Sequence, residues 1–292
     1  MRHRPTLPPL PPGPASLTEQ EMKDWRTRLE KYVGFTNHVA DPTASGYASL
    51  DGWGYLADAY VSDYLNRWNE ANKQNNNSGN GKELVKWATI ALTNPNGSNS
   101  SVKARYAQAL LYRAKGDYAS ALTQFQSLIN DGLGFPRCYA QYANELINTV
   151  DPNDPLLDTA VNSVTAAINA AQVTIQAGGM ELSLGTFYWI LGRAQFFKGQ
   201  YSSAIKSFQT SRDGDGSNPS RTWMRADLWY NQLYLVSAYE LNQDHNDAVG
   251  AFRIFQNNFP NFPKGYLDYY ENDLPNPKKT QLFRSGLSKF GF

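Results

Sequence analysis

Cysteine occurs once in the 292 residues, at Cys138, and histidine three times, at His3, His38 and His245. A lone cysteine excludes an internal disulfide framework and any zinc site built on thiolates. Three histidines far apart along the chain make no His-rich cluster, so neither metal nor cofactor is expected. Charge is scarce as well. Asp, Glu, Lys and Arg make up 18% of the chain, against roughly 25% in an average domain. The 27 basic and 26 acidic residues leave a formal charge of +1. Phosphate binding needs a concentrated basic footprint, so nucleic acid is not an expected partner. No apolar stretch reaches the ~18 residues of a membrane-spanning helix, so no membrane insertion is expected. Long alternating Val/Ile/Thr runs are missing too, which leaves little reason to draw a sheet.

Aromatics, by contrast, are abundant at 13%, too many for a disordered chain. The length suffices to bury a sizeable core. Residues 1–16 are basic and then proline-rich, without the continuous apolar core of a signal peptide. They read as a flexible leader, with Pro8 to Pro12 as an alternative ligand for an aromatic-lined groove. The expected compartment is the cytoplasm, or the periplasm or exterior if a signal segment has been removed.

Residues 17–292 read as one all-α domain of about five helix pairs plus a helix at each end. Ser16-x-x-Glu19 and Thr18-x-x-Glu21 are capping boxes that start a helix running to about Val33. A helix from Trp53 to Trp68 follows. The polar gap Asn72 to Lys82 reads as a mobile loop, and Glu83 to Leu92 as a helix. Val102 to Lys115 and Tyr118 to Ile129 form the clearest pair, broken at Gly116-Asp117 and closed by Gly132 as a left-handed C-cap. The next pairs are Pro136 to Leu146 with Leu156 to Ala177, Leu182 to Lys198 with Tyr201 to Ser211, and Arg225 to Leu241 with Asn246 to Phe259. A capping helix is expected at about 277–291.

Three pairs share a sequence pattern. Ala109–Ala121, Gly192–Ala204 and Val236–Ala248 align, and each continues as Ala-x-x-x-Phe through Ala121/Phe125, Ala204/Phe208 and Ala248/Phe252. A small residue lets two antiparallel helices approach, and a Phe one turn later fills the gap to the next unit. This pattern resembles the tetratricopeptide repeat (TPR). Leu191-Gly192 matches the family's Leu-Gly pair, and Pro260 falls where the family places its closing proline. Lys278 to Phe290, with Gly286-Leu287 and Gly291, is similar to the end of the C-terminal TPR regions attached to bacterial adenylate cyclases and winged-helix regulators. The resemblance implies a right-handed helical-hairpin solenoid that binds a peptide or partner protein in a concave groove, without catalysis of its own. A regulatory or sensor module beside a cyclase or transcription regulator is the alternative, and an enzyme the third.

Candidate chemistry is thin. His245 lies between Asp244 and Asp247 but at an inter-helix turn, and reads as exposed. Asp213-Gly-Asp-Gly imitates a calcium loop, yet Asn218 and Met224 stand where that loop needs Gly and Glu. Cys138 has no His nearby to activate it. Three Asn-x-Ser triplets, starting at Asn76, Asn96 and Asn99, are what chance supplies in such loops. On the resemblance, the residues facing the groove are Lys103, Tyr106, Leu110 and Arg113, then Arg137 and Asn144, then Trp189, Arg193, Phe196 and Phe197, then Tyr230, Leu233 and Glu240. Their Arg, Trp and Tyr content suits a binding surface. The cations favour a partner with acidic or C-terminal carboxylate groups.

Overall fold

A computed structural model describes residues 19–36, 42–44, 50–66, 79–93, 101–177, 184–214, 229–260, 262, 267 and 276–292. The leader 1–16, His38, residues 72–78, the three Asn-x-Ser triplets in large part, the calcium-loop imitation beyond Gly214 and the start expected at Arg225 lie outside the described residues. The described residues form twelve α-helices and contain no strand. The fold is all-α, as the absence of alternating runs predicts. The helices group into two compact units, Met1–Gly134 and Phe135–Phe292.

The first unit holds α1 (Glu19–Val33), α2 (Leu50–Asn66), α3 (Gly79–Thr93), α4 (Val102–Ala114) and α5 (Tyr118–Asn130). α2 pairs with α3 and α4 with α5, and the two first helices pack on each other. Their approach is close because Gly54 has no side chain. A Cβ there would sit 2.7 Å from the Ala104 backbone nitrogen. α3 starts at Gly79, a turn earlier than Glu83, the first residue whose composition marks a helix. α1 is tied down where the Tyr60 hydroxyl donates to Glu30 at 2.6 Å. Burial, with the Glu30 carboxylate beside it, drives the Tyr60 phenol far above its usual range.

The second unit holds α6 (Pro136–Thr149), α7 (Leu156–Gln176), α8 (Leu184–Phe197), α9 (Tyr201–Asp213), α10 (Trp229–Leu241), α11 (His245–Asn258) and α12 (Pro277–Ser285), followed by a 3-10 turn at Ser288–Phe290. Pro136 occupies the first turn of α6, where its missing N–H costs nothing. Three hairpins, α6–α7, α8–α9 and α10–α11, stack in order.

The aligned stretches share one turn geometry. Gly116, Gly199 and Gln243 all have positive φ, at 79°, 74° and 67°. In each case the following amide donates back to the fifth residue before it. The bonds Asp117 to Tyr112, Gln200 to Gln195 and Asp244 to Tyr239 are all 2.9 Å. This is the Schellman closure of a helix, and it favours glycine at the left-handed position. Gln243 is the one of the three that carries a side chain there. Gln243→Gly is therefore expected to raise stability by about 0.5–1 kcal/mol, because a left-handed conformation costs a side-chain-bearing residue about 1–2 kcal/mol and glycine's extra chain entropy offsets part of the gain. A urea-unfolding midpoint that falls would contradict this.

The small-residue/Phe contacts also form. Ala121, Phe125, Ala204, Phe208 and Ala248 are all fully buried. Gly192 lies against Phe208, where a Cβ would come within 2.6 Å of the ring. Phe252 is only partly covered. No further hairpin follows α11 among the described residues, so the tail serves instead. Phe290 and Phe292 lie 4.8 Å and 6.1 Å from the Phe252 ring.

Candidate functional site

In the second unit the first helices of the hairpins, α6, α8 and α10, carry the residues expected to line a groove. Arg193 of α8 is buried, at 3% exposure. Its Nη1 donates to the Asn144 side-chain oxygen at 2.7 Å and its Nη2 to that of Asn148 at 3.0 Å. Its guanidinium lies 4.8 Å from the centre of the Trp189 ring. Asn144 and Asn148 sit one turn apart on α6, a spacing that matches the fork of a guanidinium. Trp189 in turn packs on Tyr230 of α10, with ring centres 5.1 Å apart.

α12 covers this polar cluster. Lys279 is fully buried. Its Nζ donates to the Ile147 carbonyl of α6 and lies 5.1 Å from the Phe197 ring centre of α8. Burial pushes its amine down to about 7, and the like charge of Arg193 pushes the same way, against the weaker pull of Asp151 and Asp154. Further along, Phe283 stacks on Tyr234 of α10 at 4.3 Å, and its carbonyl accepts from the Ser237 hydroxyl at 2.9 Å. The capping helix expected at about 277–291 thus becomes α12 and a 3-10 turn. It reaches across three first helices.

Several of the expected groove residues do not meet solvent. Asn144, Arg193 and Tyr230 are buried, and so are Phe196, Phe197 and Leu233. Tyr106 and Leu110 of α4 are buried in the first unit, where the Tyr106 ring meets Phe125 at 5.7 Å. These side chains belong to the packing between hairpins because the neighbouring helices lie over them. Lys103, Arg113, Arg137, Trp189 and Glu240 remain partly exposed. Lys103 lies 5.1 Å from the Tyr55 ring centre. Glu240 is held by two neighbours, Lys289 and His245, which together keep its carboxyl below the usual range. His245 is exposed, as its turn position implies, but its partner is Glu240 at 2.8 Å. The flanking aspartates suggested by the sequence are not involved at that nitrogen.

Asn148, Lys279 and Glu145, all buried, are not among the residues that the repeat pattern marks. Asn148 was within reach, because it lies one turn after Asn144 on the same helix. Lys279 gave no signal, since one lysine of an adjacent pair reads as a solvated charge. Cys138 is buried. Among the described residues no group of three or more His, Cys, Asp and Glu side chains converges as a metal site would require. Nor is any described helix long and apolar enough to cross a membrane.

A tetratricopeptide-repeat model matches residues 103–131 and 230–261. The first match covers α4 and α5, the second α10 and α11, and both span the Schellman turns. No curated protein matches the sequence. The repeat matches, the shared turn geometry and the stacked hairpins agree: the chain is a TPR-like, all-α protein.

Proposed function

We propose that the chain is a protein–protein interaction scaffold without catalysis of its own, and that its partner docks on the exposed residues of the first helices. Tetratricopeptide repeats generally mediate protein–protein contact and are typically non-catalytic. The observation that carries the reading is the pair of repeat matches, the first on the hairpin that holds partly exposed Lys103 and Arg113; in the other unit partly exposed Arg137 and Trp189 lie on the first helices of the hairpins stacked before the matched one. The cations would engage a partner's acidic or C-terminal carboxylate groups through charge-assisted hydrogen bonds. Partly exposed Trp189 would add contact area of the kind that dominates binding energy.

The test is a pull-down from the native organism with the partner identified by mass spectrometry, repeated with the Lys103→Glu/Arg113→Glu chain. Capture of that partner should fall about tenfold or more, equivalent to about 1.4 kcal/mol. The unfolding midpoint should stay within what surface substitutions give, about 0.5 kcal/mol. Undiminished capture would remove these residues from the interface. Loss of fold would move them to the core.

A further inference from the structure

We draw no further inference here: the strongest candidate, the partly exposed aromatic face at the end of the stack where Phe252 of α11 meets Phe290 and Phe292, carries nothing because nothing among the described residues shows what covers it.

Discussion

Arg193→Ala is expected to destabilise the Phe135–Phe292 unit by about 2–6 kcal/mol, the cost of leaving two buried acceptors without their donor. The guanidinium bridges Asn144 and Asn148, so its loss strips two buried side-chain oxygens of a charged donor. Each acceptor left dry costs about 1–3 kcal/mol. The contact with the Trp189 ring adds a cation–π contribution of up to about 2 kcal/mol where the pair is desolvated. Urea unfolding at constant slope measures the change. A loss under about 1 kcal/mol would mean that α6 relaxes onto α8 without the bridge. Arg193→Lys should recover little of the loss, because one ammonium cannot reproduce a fork that meets two amides one turn apart.

The consequence for function is direct. On a solvent-facing groove, Arg193→Ala would weaken partner capture and leave the fold alone. On the geometry found, reduced capture by this variant would report a loosened unit. Partner contacts are better probed at Lys103, Arg113, Arg137 and Trp189, which stay partly exposed.

Much of the fold is legible because it is written in punctuation. Gly116, Gly132 and Gly199 mark helix ends by their positive φ, and Pro136 marks a start. The Ala-x-x-x-Phe spacing reports packing between consecutive hairpins, a contact local enough for sequence to encode. Other features are hidden for physical reasons. The first turn of α3 has the composition of a loop, and only its backbone shows that it is helical. α12 ends at Ser285, short of the expected Gly291, where Gly286 comes against Ser237. The groove residues follow from helical periodicity, which fixes a face but not what lies over it. The covering element comes more than eighty residues after Arg193 in the chain. No local pattern in the α12 segment distinguishes Lys279, which goes in, from Lys278, which stays out.

Lys279→Met is expected to stabilise the protein by about 1–4 kcal/mol at pH 7, the range seen when apolar residues of similar volume replace buried charges. The unfolded chain holds the proton on this lysine up to about 10.5, whereas in the folded chain its amine titrates at about 7. Between those values unfolding takes up a proton. Stability therefore rises with pH from about 7 to about 10.5, and below 7 this residue adds no slope. The steepest slope one group can give is about 1.4 kcal/mol per pH unit. The charged groups acting on the amine are Arg193 of α8, which opposes protonation, and Asp151 and Asp154 after α6, which favour it. Other groups titrate in both proteins, so the measurement is the difference between the Lys279→Met and unaltered profiles across pH 7 to 10. That difference should shrink as pH rises. Parallel profiles would mean that the amine reaches water.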